Sequence, residues 1–366
     1  MTAEWQDKTR EVRQGEELDA AWLERFLKEK LPELSGPLGV EQFPGGHSNL
    51  TYLLRVGERE MVLRRPPFGA KNIKAGHDME REYRILSHLM PVFPRVPKPL
   101  VFCPEDGSPL GAPFYVMERV RGVILRGRPP KGLSLGEADY RRLSESFVDN
   151  LVALHAVDLQ ASGLASLGKP EGYLGRQVQG WTERYQKSKT DDLPEMEEVA
   201  TWLAANLPPD TGAGATFIHN DYKYDNLVLD PDDLSRIRAV LDWEMATVAD
   251  PLSDLGMALA YWIEPNDPEV LRSLGIGLTS QPGNLSREEL VARYEEKSGR
   301  RVHHLSFYFV LALFKVAVIA QQIYARFKRG YTKDERFAGL IFAVAVLGRL
   351  AAKAIESGGV KPPASL

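Results

Sequence analysis

The segment Phe217-Ile218-His219-Asn220-Asp221-Tyr222-Lys223-Tyr224-Asp225-Asn226 sets an aspartate and an asparagine five residues apart beside apolar runs. Asp242 opens an Asp-Trp-Glu triplet after a later run of the same kind. Phosphoryl transfer calls for these residue types: a carboxylate that orients and deprotonates an acceptor hydroxyl, and oxygen ligands that hold Mg2+ across nucleotide phosphates. Asp221 suits the first task, and Asn226 and Asp242 suit the second. Singly, each has a plainer reading. A His-x-Asp triplet is commonly structural, and an aspartate at a strand end commonly caps a turn. The spacing and the flanking apolar runs set the group apart. With Asp221 in the base position, His219 reads as a residue that hydrogen-bonds loop backbone. Asp225 and Glu244 read as supporting carboxylates, and Asp250 and Asp254 as loop braces and helix caps.

Periodicity indicates which elements must carry these residues. Asp19 caps an expected helix with Trp22, Leu23, Phe26, Leu27 and Leu31 on one stripe, ended by Pro32. Strand-like runs follow at 38–43, 51–56 and 61–64, the first two separated by the turn 44–49. A helix is expected over 78–89, with further strands at 100–102 and 114–117. This order predicts a small antiparallel sheet with one packed helix. Beyond a Gly/Pro/Arg-rich link at 126–132, the chain becomes mostly helical. It opens with a helix bearing Leu143, Phe147, Leu151 and Leu154, and it contains one compact β patch at 217–218, 227–229 and 237–241. Capping boxes are expected at Ser286–Glu289 and Thr332–Glu335, with a stop at Gly358. The fold class is thus α+β and bilobal: residues 1–37 form an extension with a helix, 38–120 a β-rich lobe, and 121–366 a helical lobe containing the loop 219–226 and the motif 242–244.

Composition narrows the function. The 366 residues are 43% hydrophobic and 26% charged, with a formal net charge of −4, which argues against a nucleic-acid-binding surface. The single cysteine, Cys103, has no intrachain partner for a disulfide. The N-terminus lacks the apolar stretch of a secretory signal, so a cytoplasmic location is expected. The apolar run 305–320 is interrupted by Lys315, and its uncharged pieces fall short of the about 18 residues that span a bilayer, so it reads as a core helix without membrane association.

On these motifs, and in this order, the chain resembles the aminoglycoside phosphotransferase family of the protein-kinase-like fold, which also includes choline and homoserine kinases. The resemblance covers about residues 18–355. The stretches HNDYKYDNLVLD (219–230), LDWEMATVADPLSDLG (241–256) and IAQQIYARFKRG (319–330) are similar to phosphotransferase domains fused to some acyl-CoA dehydrogenases and to their free-standing bacterial relatives.

The resemblance implies roles residue by residue. The turn Gly45-Gly46-His47-Ser48-Asn49 would cover the nucleotide phosphates, glycine permitting close backbone approach; alone it also reads as a plain hairpin turn. At the third-strand position where relatives carry a phosphate-binding lysine stands Arg64. Its fork can still grip phosphate but with altered placement, and the plainer alternative is a solvated strand end. Glu82 would hold Arg64, with Glu80 as the rival. The run 114–120 resembles the hinge between lobes, where Met117 would line the adenine pocket and backbone groups of Glu118 and Val120 would read the base; a core strand is the alternative. Lys223 would help neutralise the transferring group, or is simply an exposed lysine.

The implied activity is transfer of the γ-phosphoryl group of ATP, with Mg2+, to the hydroxyl of a small molecule. The resemblance to dehydrogenase-linked domains implies a hydroxy acid or hydroxyacyl-CoA as acceptor and a functional link to an acyl-CoA dehydrogenase. The aromatic residues Phe307, Tyr308, Phe309, Phe314, Tyr324 and Phe327, beside Lys315, Arg326, Lys328 and Arg329, fit an acceptor with an apolar chain and an anionic group, although such a stripe is commonly core. Competing readings are an aminoglycoside or choline-type kinase, a nucleotide-binding module without turnover, and a metal-dependent phosphate-ester hydrolase.

Overall fold

The computed structural model describes residues 5, 7–44, 49–67, 77–209, 212, 214–275, 277–332 and 334–361. The chain divides into two units: Met1–Ile124, Ala161–Leu164 and Asn226–Met245 form the first, and Leu125–Gln160, Ala165–Asp225 and Ala246–Leu366 form the second.

The first unit begins with α1 (Ala20–Lys30), whose N-terminus is closed by the Asp19 carboxylate accepting from the Trp22 amide at 2.9 Å. Such a cap contributes about 1 kcal/mol. Next come β1 (Leu38–Gln42), β2 (Leu50–Val56), β3 (Arg59–Arg65), α2 (Met79–Leu89), β4 (Pro99–Cys103) and β5 (Phe114–Glu118). The strands form one antiparallel sheet in the order β1-β2-β3-β5-β4. Side-chain alternation gives this sheet two different faces. Met61 and Leu63 of β3, with Phe114 and Val116 of β5, join Leu23 and Leu27 of α1 in an apolar core. On the other parity, Val62 lies opposite Met117 and Arg64 opposite Tyr115. Thus α1 covers one face in addition to the expected packed helix α2, and Arg64 stands on the face away from α1.

The β patch expected at 217–241 is two separate two-stranded ladders. In the second unit β6 (Thr216–Ile218) pairs with β9 (Thr247–Ala249), a strand too short to show alternation in the sequence; in the first, β7 (Leu227–Leu229) pairs with β8 (Ile237–Val240). Asn226–Met245 clusters with the first unit, whereas the sequence places this β patch within the helical lobe 121–366. The Leu229–Val123 bridge and the Val240 amide donating to the Arg95 carbonyl at 2.8 Å tie it there.

The second unit is helical: α3 (Glu137–His155), α4 (Tyr173–Ser188), α5 (Pro194–Ala205), α6 (Leu252–Tyr261), α7 (Glu269–Arg272), α8 (Arg287–Ser298), α9 (Leu305–Lys328) and α10 (Leu340–Ser357). The capping box Ser286–Glu289 starts α8, and Gly358, in the left-handed region at φ 67°, ends α10. The second expected box, Thr332–Glu335, is not found among the described residues. Asp334, not Thr332, caps a short 3-10 turn at Glu335–Phe337, and α10 starts later, because Asp334 is the carboxylate within reach of the Arg336 amide. By length and composition α9 and Glu335–Ser357 are apolar enough to cross a membrane; 67% of the most apolar window is buried in the first and 39% in the second. α9 packs against α4, α5, α6 and α10. At the α6–α9 contact a Cβ on Gly256 would lie 2.6 Å from the Tyr308 carbonyl oxygen, so only glycine permits that approach.

Candidate functional site

Two groups of polar side chains hold the residues singled out above, one in each unit. In the first, Arg64 is buried and its guanidinium forks. Nη1 lies 3.5 Å from Glu82, while Nη2 lies 3.0 Å from Asp242 and 3.4 Å from Glu244. Glu82 is buried and Glu80 exposed, so the helix glutamate that meets Arg64 is Glu82. Tyr115 donates its hydroxyl to Glu82 at 2.9 Å. Burial lifts the Glu82 carboxyl above its usual range against the pull of Arg64, and burial beside Glu82 keeps Tyr115 a phenol. Burial opposes the charge of Arg64, but Glu82, Asp242 and Glu244 outweigh it and keep the guanidinium protonated.

Asn49 enters the same group from the start of β2. Its Nδ2 donates to Glu244 at 2.9 Å, and its Oδ1 meets His77 Nδ1 at 2.8 Å. Gly45, Gly46, His47 and Ser48 lie outside the described residues. The β7–β8 pairing brings Asn226 beside Asp242 along the backbone, because the Leu241 amide donates to the Asn226 carbonyl at 2.8 Å. Asp242 adopts a left-handed φ of 66°, a conformation aspartate tolerates better than most residues. Met117 is buried on β5, Val120 is half-buried, and the Glu118 amide donates to the Lys98 carbonyl at 2.8 Å.

In the second unit, the loop after β6 is held from several helices. Asp254 of α6 is fully buried and accepts from the His219 amide at 2.6 Å and from the Asn220 amide. His155 of α3 meets Asp254 at 3.2 Å through Nε2 and the Tyr294 hydroxyl at 2.9 Å through Nδ1. Burial opposes ionisation of Asp254, but the His155 contact and these amides hold its carboxyl below the usual range. His219 Nδ1 accepts from the Asp221 amide at 3.2 Å, the backbone-bracing part expected of it. Lys223 places its ammonium 3.0 and 2.9 Å from the two Asp221 oxygens and 4.5 Å from the Tyr261 ring centroid. Asp225 is raised by burial, against Lys223 and Arg126. Asp250, two residues before α6, accepts from the Leu252 amide at 2.8 Å and from the Tyr308 hydroxyl at 2.9 Å.

A family model described as "Phosphotransferase enzyme family" matches residues 39–290. The chain belongs to this family. It is 34% identical over 363 residues to "Acyl-CoA dehydrogenase family member 11" of Gallus gallus, covering 96% of this chain and 46% of that one, so it spans less than half of that relative's length. Among solved structures it is similar to a putative aminoglycoside phosphotransferase from Ralstonia eutropha, at 28% identity and a TM-score of 0.77 over 93% of this chain and 99% of that one. It also shares its fold with a spectinomycin phosphotransferase solved with ADP and spectinomycin, at 12% identity and a TM-score of 0.61 over 92% and 99% of the two chains. The fold is thus that of the protein-kinase-like phosphotransferases.

Several residues of these two groups carry no signal in the sequence that marks their partners. Tyr115 lies within the hinge-like run 114–120 and His155 just past the Leu143–Leu154 stripe; neither carries a local signal of its own. Lys315 was visible as a lone cation in an apolar helix but was placed with an anionic acceptor. It is buried, donating to the Asn220 carbonyl at 3.0 Å and to Asn220 Oδ1 at 2.8 Å. Phe307, Tyr308, Phe309 and Phe314 are core residues, Lys328 pairs with Asp191 at 2.8 Å, and Arg329 donates to the Lys187 carbonyl at 3.1 Å. Helical spacing put these side chains near one another in sequence, but packing turned the apolar ones inward.

Proposed function

We propose that the chain is an ATP- and Mg2+-dependent small-molecule kinase. The observation that carries this reading is the convergence of Arg64, Glu82 and Asp242, from a strand, a helix and a post-strand loop, in a chain of the phosphotransferase family. In this reading Asp221 takes the proton of an acceptor hydroxyl as that oxygen attacks the γ-phosphorus, the bond from phosphorus to the β–γ bridging oxygen breaks, and ADP leaves. Lys223, already on Asp221, meets the charge spread over the transferring group. Arg64 binds phosphate oxygens while Glu82 and Tyr115 hold its fork.

Asn226 and Asp242 are the residues that would hold Mg2+. Their oxygen donors suit a hard cation, and one carboxylate with one amide is the small protein share expected of an ion that keeps phosphate and water ligands. Bound there, the ion would neutralise phosphate charge. The backbone at 118–120 would read adenine next to Met117; since the Glu118 amide is engaged, the carbonyl of that residue and the amide of Val120 take the part. Gly45, Gly46, His47, Ser48 and Asn49 would close over the phosphates.

For the acceptor we favour a hydroxy acid or hydroxyacyl-CoA, supported by the likeness to acyl-CoA dehydrogenase family members. Titration calorimetry with Mg·ATP, followed by coupled ADP detection across hydroxyacyl-CoAs, hydroxy acids, choline, homoserine and aminoglycosides, tests both levels. Absence of binding heat and of ADP release with every compound overturns the kinase reading. Activity confined to aminoglycosides overturns the acceptor class alone.

A further inference from the structure

Asn220, the residue before the proposed base, is fully committed. Its amide goes to Asp254 on α6, its carbonyl and Oδ1 to Lys315 on α9, and its Nδ2 to the Tyr173 hydroxyl on α4 at 2.9 Å. It sits in the left-handed region at φ 68°, which asparagine tolerates better than most residues but which still costs it more than glycine, so the bonds around it help to hold it there. Lys315 is one of the groups that hold it, and it is an expensive one. Its ammonium is 5.7 Å from the Trp181 ring centroid and is buried among apolar neighbours on α9, where a methionine would pack without desolvating a charge. A cation retained at such a position calls for a task that packing alone does not supply.

We propose that Lys315 is a positioning residue for phosphoryl transfer, its ammonium holding Asn220 left-handed and so setting the direction in which Asp221 meets the acceptor hydroxyl. This rests on the kinase reading of Asp221. The lysine acts through the backbone: the peptide fixed by its bonds to Asn220 leads directly into Asp221, whose own amide is tied to His219. Burial pushes the Lys315 ammonium down to about 8, and Lys223 of the loop and Arg184 of α4 push the same way; Asp221 of the loop and Asp254 of α6 oppose them. Above that pH the neutral amine keeps hydrogen bonds to Asn220 but loses their charge assistance.

The test uses the whole chain. With aspartate and asparagine labelled by 15N, the amide resonances of Asn220 and Asp221 in the nucleotide-free protein are expected to titrate with a midpoint near pH 8, and to lose that titration in Lys315→Arg, which stays charged. Lys315→Met is expected to lower the kcat of Mg·ATP turnover roughly ten- to a hundredfold with little change in KM for Mg·ATP, the usual penalty of misplacing a reacting group. Adding Asn220→Gly to Lys315→Met is expected to recover most of that loss, because glycine takes φ 68° unaided. Amide resonances that stay still through the lysine titration overturn the proposal. So does a double variant no better than Lys315→Met, since a merely structural lysine gains nothing from glycine at 220. Where no Mg·ATP turnover exists in any form, the kinase reading fails by itself, and the amide titration still decides whether Lys315 governs the loop.

Discussion

The group around Arg64 and the loop around Asn220 are built on opposite principles. In the first, one guanidinium is shared by Glu82, Asp242 and Glu244, so charge is concentrated and the side chains themselves are the working parts. In the second, the buried ions Asp254 and Lys315 are spent on backbone groups of residues 219 and 220, while Asp221 and Lys223 remain partly exposed. The contrast teaches that binding phosphate and aiming a base need different devices. In the proposed kinase reading, phosphate would take over a guanidinium now shared among three carboxylates, whereas the base would be aimed by backbone already committed to buried partners.

The sharpest way to break this contrast is Asp221→Asn. It should lower kcat by about 10²-fold or more, the usual worth of a general base, and leave Mg·ATP affinity nearly intact, as read by ADP release and calorimetry. A wild-type rate with a verified acceptor removes Asp221 from the chemistry. Asp254→Asn comes next and should act on stability: losing a buried carboxylate that accepts two amides and faces His155 is expected to cost about 3 kcal/mol in urea unfolding. The pH sign follows from the same carboxylate. Its folded pKa lies below the ordinary 3.8, so its contribution is complete above that pH and declines as pH falls toward the folded value. Asp254→Asn should flatten that acid limb.

Smaller effects are expected around Arg64. Arg64→Lys replaces a fork by a point charge that cannot face Glu82 and the Asp242–Glu244 pair together; Mg·ATP should bind roughly tenfold more weakly by calorimetry, with little change in melting temperature. Unchanged affinity would make Arg64 a structural ion-pair partner. Tyr115→Phe removes one hydrogen bond to Glu82 and should cost about 1 kcal/mol in urea unfolding.

Much of the fold was legible because helices and strands advertise their buried faces locally. The Asp19 cap, the five strands of the N-terminal sheet and the α3 stripe follow from spacing of apolar and capping residues. The short strand β9 and the separation of β6 from β7 were not legible, since three-residue strands carry no period to read. Among the candidate residues, Asp221, Lys223 and Asn226 could be selected from one continuous stretch. The opposite holds for Tyr115, His155 and the true place of Lys315, whose partners lie far along the chain.

Sequence alone determined the chemical types available and their local order: carboxylate, lysine and amide within one loop, an arginine on a strand, a glutamate facing one side of a helix. Tertiary structure decided which of them meet. Arg64 reaches Asp242 across 178 residues and Lys315 reaches Asn220 across 95. Local periodicity specifies that a face is buried, but the face it is buried against is chosen by packing of the whole chain, where each buried charge must find its partner.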